Sequence, residues 1–369
     1  MPSMHFGEAR LKLTRSTGFT LEADIEIPNE GITVLFGPSG CGKTTVLRCI
    51  AGLERADGVV RIGEQLWQDD SRRIFRPTFE RNLGYVFQEA SLFAHLNVEK
   101  NLQFGLERTR NPDGPKRLAE AVELLGIGGL LKRRVSELSG GERQRCAIAR
   151  ALCLRPDVIL MDEPLAALDF ARKREILPWL EKLRRELRVP ILYVTHSADE
   201  MTRLADRLVV MQNGHVRAAG TLDEVLSSVK VPVETENGAS VVLRSTVESV
   251  SPQWGSVLVR SGGWRIDTVA ANVSDVAVGA EIRLRILARD VSIAFSRPDG
   301  ISIRNVLPAV VEEISEPCGP GNAYFTVRLR ARQGEARVLS RILRESAADL
   351  GLRPGLDVWA LIKAAAVIA

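Results

Sequence analysis

A run of five apolar residues, Ile32–Phe36, opens directly into the string GPSGCGKTT and then into the stretch Val46–Ala51. Uninterrupted apolar residues fit a strand covered on both faces, and the stretch beyond the glycines reads as a helix. In a strand–loop–helix setting, Gly37, Gly42, Lys43 and Thr44 satisfy GxxxxGK[ST] as a phosphate loop, a far stronger signal than the string alone. Glycine lets the backbone wrap phosphate oxygens closely. The N–H groups at the helix start then offer a concave anion site aligned with the helix dipole. Gly37, Pro38, Ser39, Gly40, Cys41 and Gly42 form this cradle; Lys43 is expected to reach the β and γ phosphates of ATP, Thr44 to hold Mg²⁺ through its hydroxyl, and Thr45 to support the phosphate contacts.

The pattern around this loop predicts an α/β fold of the P-loop type. Phe19, Leu21, Ala23, Ile25 and Ile27 alternate as in a half-buried strand, ahead of a turn at Asn29–Gly31. Further buried-strand runs lie at Leu83–Phe87, Val158–Met161 and Ile191–Val194, with helical stretches between the later ones. A mostly helical insertion, Ala90–Ser136, sits in a helical subdomain of about 90–155. Arg172–Arg188 reads as an amphipathic helix interrupted by Pro178, its charges forming a solvated face. Asn213-Gly214 signals a hairpin turn, and a last helix is expected near Leu222–Ser228. Beyond it come short alternating strands with Gly, Ser and Pro punctuation. The expected plan is a nucleotide-binding domain over 1–230, a β-rich companion over 231–297 and an all-β, OB-like domain over 298–369.

Composition removes several classes. Fifty basic against forty-six acidic side chains give a net charge of only +4, without a concentrated basic block, and aromatics at 5% are too few for a base-stacking platform, so nucleic acid is not an expected partner. No apolar stretch approaches the ~18 residues of a membrane span, and MPSMHFGEARLKLT has no signal-peptide core, so a soluble cytosolic chain is expected. Cys41, Cys49, Cys146, Cys153 and Cys318 form no CxxC pair and read as reduced thiols.

The second chemical signal is at Asp162 and Glu163, where an apolar strand delivers two carboxylates to the carboxyl edge of a parallel sheet, the edge that binds ligands. Asp162 is placed to organise Mg²⁺. Glu163 is placed to orient and deprotonate the attacking water, because in-line displacement at phosphorus needs a positioned nucleophile.

Leu138–Glu142 spells LSGGE and is followed by Arg143, Gln144 and Arg145, between the phosphate loop and the acidic strand. This resembles the signature motif of the ATPases of ABC transporters, and the resemblance covers about 1–230. Gln88 matches the family's Q-loop glutamine, which also approaches the Mg²⁺. Ala166–Asp169 matches the D-loop, with Asp169 at the dimer contact, and His196 matches the switch histidine. The resemblance implies a homodimer paired head to tail, in which Ser139, Gly140 and Gly141 cap the γ phosphate of ATP held by the opposite subunit. Phe19 either stacks on adenine or belongs to the core. Phe93, His95 and Leu96, inside Gln88–Leu106, are where permease helices are expected to dock, with a core role open for Phe93 and Leu96. Integral-membrane permease subunits, and through them a substrate-binding protein, are the implied partners, at the cytoplasmic face of the inner membrane.

Gly300–Ile314 and the segment from Leu343 to Val367 resemble the opening and ending of the molybdate-binding Mop module, and Arg172–Leu180 resembles the matching helix of molybdate importer ATPases. These resemblances imply ATP-driven molybdate import, with tungstate, sulfate or iron as alternative solutes. They also mark Ser302, Arg304, Asn305, Ser346 and Lys363 as a possible oxyanion pocket, although Leu343 stands where many Mop modules carry threonine. For Arg304 and Asn305, hydrogen bonding within the loop or at a dimer interface is the alternative. A soluble ABC ATPase acting on DNA or ribosomes would need a second nucleotide domain or a coiled-coil insertion. A molybdate sensor would leave the ATPase motifs without a purpose.

Overall fold

The computed structural model describes residues 6–16, 18–109, 113–229, 238–270, 273, 276–315, 323–363 and 365–368. The chain divides into two compact units, parted between Ala219 and Gly220. Cys318 and most of the linker around 230 lie outside the described residues.

The first unit holds strands β1 (Gly7–Thr14), β2 (Thr20–Ile27), β3 (Ile32–Phe36), β4 (Asp57–Ile62), β5 (Gln65–Asp69), β6 (Ile74–Phe75), β7 (Leu83–Val86), β8 (Val158–Asp162), β9 (Ile191–Thr195), β10 (Arg207–Gln212) and β11 (His215–Thr221). They form one sheet in the order β6-β5-β4-β1-β2-β11-β10-β3-β9-β8-β7. From β10 to β7 every pairing is parallel. The segments that follow β3, β7, β8 and β9 therefore leave the sheet at one edge. Those four segments are the phosphate loop, Phe87-Gln88, Glu163 and His196.

Helix α1 (Lys43–Ala51) packs Val46, Leu47, Cys49 and Ile50 onto a buried layer that includes Leu35, Leu160 and Val194. The helical insertion supplies α2 (Val98–Thr109) and α3 (Gly114–Leu124); α4 (Gly140–Leu152) packs on both and on α5 (Phe170–Glu186). Pro178 does not interrupt α5, contrary to the sequence expectation. Ile176, Leu177, Leu180 and Leu183 are all buried, and packing of this face holds the helix continuous through a residue that breaks exposed helices. A short helix α6 (Ala198–Leu204) follows β9.

The β10–β11 turn has Asn213 at φ 49° and Gly214 at φ 79°, the left-handed pair of a two-residue hairpin. Gly214 is fixed by its surroundings as well, because a Cβ there would stand 1.8 Å from the carbonyl oxygen of Thr20. Its N–H donates to the carbonyl of Cys41 over 3.0 Å, so the hairpin supports the phosphate loop from below.

The second unit begins with α7 (Leu222–Leu226) and continues through β12 (Ser240–Ser251), β13 (Ser256–Ser261), β14 (Trp264–Val269), β15 (Glu281–Leu287), β16 (Val291–Ala294), β17 (Asn305–Ile314), β18 (Tyr324–Ala331), β19 (Arg337–Leu343), α8 (Arg344–Asp349), β20 (Asp357–Ile362) and β21 (Ala366–Ile368). Strands β12-β13-β14-β21-β15 close a barrel, and β16-β20-β17-β18-β19 form a five-stranded sheet. β21 comes from the far end of the chain to close the barrel, and β16 crosses to the second sheet, so the two sheets interleave in sequence. Their inner residues, among them Val259, Ile266, Leu284, Leu329 and Val358, form one core.

Among the described residues no helix is long and apolar enough to cross a membrane. Cys41, Cys49, Cys146 and Cys153 are free and buried. Burial pushes the thiols of Cys49, Cys146 and Cys153 up to about 12. Since the thiolate is the reactive form, brief alkylation of native protein at pH 8 is expected to spare these three and to label them all in urea, as read by peptide mass spectrometry. Native-state labelling at rates of a free thiol would contradict their burial.

Candidate nucleotide site at the carboxyl edge of the sheet

The phosphate loop takes its shape from steric necessity. A Cβ on Gly37 would approach the carbonyl oxygen of Met211 to 2.2 Å, and one on Gly42, whose φ is 106°, would crowd Leu21 and Phe19. Lys43 is buried and folds back over the loop, donating from Nζ to the carbonyls of Gly37 and Pro38 at 2.9 Å each. Thr44 donates its hydroxyl to Oδ1 of Asp162 over 2.8 Å, joining α1 to the end of β8. Burial raises the Asp162 carboxyl above its usual range, and the hydrogen bonds from Thr44 and Tyr85 oppose that rise.

Glu163 sits at φ 44°, a left-handed conformation that a non-glycine residue adopts at a cost of order 1 to 3 kcal/mol. Backbone bonds on both sides hold it there: its N–H donates to Val194 O and its carbonyl accepts from Ala166 N, each at 3.1 Å. The bend turns the side chain toward the loop after β9, where Oε2 lies 3.3 Å from Nδ1 of His196. A cavity of about 220 Å³ opens between Glu163, the phosphate-loop and α1 residues Ser39, Gly40 and Gly42 to Thr45, and the pair Arg15 and Phe19. Phe19 is half-buried, lies 5.6 Å below the Arg15 guanidinium and packs on the core as well as lining the cavity.

Other candidate residues stand away from this cavity. Gln88 is exposed and does not line it. Ser139 caps α4, accepting from Glu142 N at 3.2 Å while Glu142 accepts from Ser139 N at 2.8 Å. These bonds hold the Glu142 carboxyl below its usual range. Ser139 is exposed, and neither it nor Gly140 nor Gly141 lines the cavity. A Cβ on Gly140 would meet Leu168 at 2.7 Å, so the LSGGE turn and the Ala166–Asp169 loop are in contact within one chain. Asp169 caps α5 through Arg172 N at 2.9 Å. Phe93 packs its ring 4.3 Å from that of Phe104 and is half-buried with Leu96, whereas His95 is exposed.

Three contributors escaped the motif reading. Arg15 borders the cavity, and Tyr85 donates to Asp162 Oδ2 at 3.2 Å. Glu200, buried on α6, accepts from Tyr193 OH at 2.9 Å, Thr195 Oγ1 at 2.8 Å and Lys173 Nζ at 3.0 Å. It thereby ties β9, just before His196, to α5, just after the Ala166–Asp169 loop. No local sequence pattern marks it, because an acid in the first turn of a helix is ordinary.

In the second unit the five oxyanion candidates do not gather in one chain. Asn305 pairs with Ile362 at one end of the β17–β20 ladder, which brings Ser302, Arg304 and Lys363 near one another. Ile314 pairs with Val327 and Tyr324 with Leu343, so Ser346 on α8 belongs to the opposite end of the sheet. Asn305 is committed elsewhere: its Oδ1 accepts from Asp267 N at 2.7 Å and its Nδ2 donates to Asp267 O at 2.9 Å. That amide extends the hydrogen-bonding of β14 toward β17, the structural alternative for Asn305. Arg304 is exposed and bonds Asp267 Oδ2 at 3.3 Å. Ser302 and Lys363 are exposed. Leu343 occupies the N-cap of α8 and makes no side-chain cap bond, so the helix start is left without the hydroxyl that a threonine there would provide.

A phosphate cradle and Glu163 lining one cavity, with Asp162 bonded to Thr44 and a histidine from the adjoining parallel strand beside Glu163, define an ATPase of the ABC class. Residues 21–166 match the family model for ABC transporters, and residues 301–369 match the TOBE domain model. The chain is 50% identical over 352 residues to a molybdenum import ATP-binding protein ModC of Thiobacillus denitrificans, covering 95% of each chain. It is 46% identical over 363 residues to the ModC of Pseudomonas syringae pv. tomato, covering 98% of this chain and 99% of the other. Among solved structures, cbiO1 of Clostridium perfringens, described as part of the ABC transporter complex cbiONQ, aligns with a TM-score of 0.54 at 27% identity over 61% of this chain and 91% of that one. The chain belongs to the ModC family of molybdenum import ATP-binding proteins.

Proposed function

We propose that this chain hydrolyses ATP to drive molybdate import through separate integral-membrane permease subunits, working as a homodimer at the cytoplasmic face of the inner membrane. The observation that carries the reading is the convergence of Lys43, Thr44, Asp162, Glu163 and His196 on one sheet edge. In this reading the loop N–H groups and Lys43 bind the β and γ phosphates, Lys43 exchanging its two carbonyl partners for phosphate oxygens. Thr44 and Asp162 present hydroxyl and carboxylate oxygens 2.8 Å apart, the hard-oxygen chemistry that suits Mg²⁺, and Gln88 completes that set from its loop. Bound there, Mg²⁺ neutralises charge on the phosphate oxygens. Glu163 takes the proton of the attacking water, and His196 fixes the Glu163 carboxylate and faces the γ phosphate. Ser139, Gly140 and Gly141, turned away from their own chain's cavity, cap ATP held by the second copy, and the Asp169 loops meet between copies.

For the second unit we infer an oxyanion contact made by Ser302, Arg304 and Lys363 of one chain with Ser346 of another, receiving molybdate that has entered by way of a substrate-binding protein and the permease. The test is uptake into vesicles holding the permease and this chain. ATP-dependent molybdate accumulation is expected, depressed by tungstate competition and, through the Arg304 contact, by molybdate on the ATP side. Arg304→Ala should relieve the second effect alone. ATP hydrolysis without molybdate uptake, with sulfate or iron taken up instead, would reassign the solute.

A further inference from the structure

Tyr85 lies on β7, the edge strand of the sheet, and parallel pairing sets it opposite Leu160. Side chains alternate along a strand, so Asp162, two residues beyond Leu160, returns to the face that Tyr85 occupies. The two oxygens of the Asp162 carboxylate consequently have different donors. Oδ1 takes the Thr44 hydroxyl at 2.8 Å, and Oδ2 takes the Tyr85 phenol at 3.2 Å. Asp162 is only 8% exposed, so water does not freely replace a missing donor. The next residue on the Tyr85 face is Phe87, whose ring centroid is 4.3 Å from that of Tyr85. Phe87 is 40% exposed and immediately precedes Gln88. Contacts therefore run without a break from a surface ring at the Gln88 segment, through the Tyr85 ring and hydroxyl, to Asp162 and the phosphate-loop helix.

We propose that Tyr85 is a positioning residue for the cation-binding oxygen of Asp162, and that Phe87 transmits to it the conformation of the Gln88 segment. The proposal rests on the reading of this edge as a Mg·ATP site. The terminal torsion of an aspartate is broad, so a carboxylate held at one oxygen only can swing. The phenol removes that freedom and leaves Oδ1 beside Thr44. The Tyr85 ring packs on the core under α1, which makes it a stiff lever. A partner that displaces Phe87 must displace this lever, because close-packed rings do not deform independently. By linkage, occupation of the cation site must in turn bias Phe87.

The experiment uses the full chain with Mn²⁺ as the probe. Free Mn²⁺ is followed by electron paramagnetic resonance in saturating ADP, and metal-free nucleotide affinity is followed with a fluorescent ADP analogue in EDTA. Tyr85→Phe keeps the ring and removes the hydroxyl. It should weaken Mn²⁺ binding about tenfold, the usual cost of losing an outer-shell partner of a metal ligand, while leaving metal-free nucleotide affinity unchanged. Phe87→Ala should shift Mn²⁺ affinity in the same direction by a smaller factor. Wild-type Mn²⁺ affinity in Tyr85→Phe overturns the positioning role, and wild-type affinity in Phe87→Ala overturns the relay. Failure of the unmutated chain to bind ADP, or to bind Mn²⁺ with it, overturns the nucleotide-site reading itself and is recognised because no variant is involved.

Discussion

Replacing Glu163 by Gln should leave ATP binding intact and reduce turnover about 10²- to 10⁴-fold, the range that a positioned general base contributes. The amide has nearly the carboxylate's shape, so the strained turn at φ 44° and the neighbouring His196 persist. What disappears is the acceptor for the proton of water. The loss should fall on kcat with little change in KM, since the contact with water matters in the transition state and not in nucleotide capture. Because cleavage is blocked while capture is not, ATP should hold two copies together, visible as a nucleotide-dependent dimer in size-exclusion chromatography. Steady-state phosphate release at the wild-type rate would remove Glu163 from the role of base.

The second large effect is expected at Glu200. Its carboxylate accepts from Tyr193, Thr195 and Lys173, and Tyr193 is wholly buried on β9. Glu200→Ala leaves two buried hydroxyls and an ammonium group without their shared acceptor. The Lys173 side chain is 24% exposed and can regain water, so the cost falls mainly on the two buried hydroxyls, roughly 1 to 3 kcal/mol for each one left unsatisfied. Urea unfolding of the first unit's transition should move to clearly lower midpoint. ATPase activity should fall even where the protein remains folded, because Thr195 also accepts from Ser197 N at 3.0 Å and so frames the His196 backbone between two anchored neighbours. An unfolding free energy within about 0.5 kcal/mol of wild type, the usual size of a surface-substitution effect, would show the network to be dispensable.

Both predictions concern adjoining strands of one sheet, yet only one of them was visible in the linear chain. Glu163 is announced by its own neighbours, an apolar run ending in two acids. Glu200 is announced by nothing local, since an acid in the first turn of a helix is ordinary. Its role depends on α6 turning back over β9 and on Lys173 arriving from another helix. Tyr85 is the same case: the run Leu83–Phe87 reads as a buried strand, and only the register against β8 sets its hydroxyl beside Asp162. Pro178 misled for the converse reason, because a local breaker was overruled by a buried helix face. In the second unit the sequence texture announced strands but not their exchange, in which β21 closes a barrel begun more than a hundred residues earlier.

Taken residue by residue, the sequence determined those parts whose physics is local: the phosphate cradle that needs glycines before Lys43 and Thr44, the acids at a strand end, the capped LSGGE helix start, and the parallel α/β plan that puts them in order. Tertiary structure alone decided which side chains hold those parts in place. Tyr85, Glu200 and Asn305 act through partners 77, 27 and 38 positions away at their widest separation. No periodicity encodes such a distance, because it is set by strand register and by the packing of one element on another.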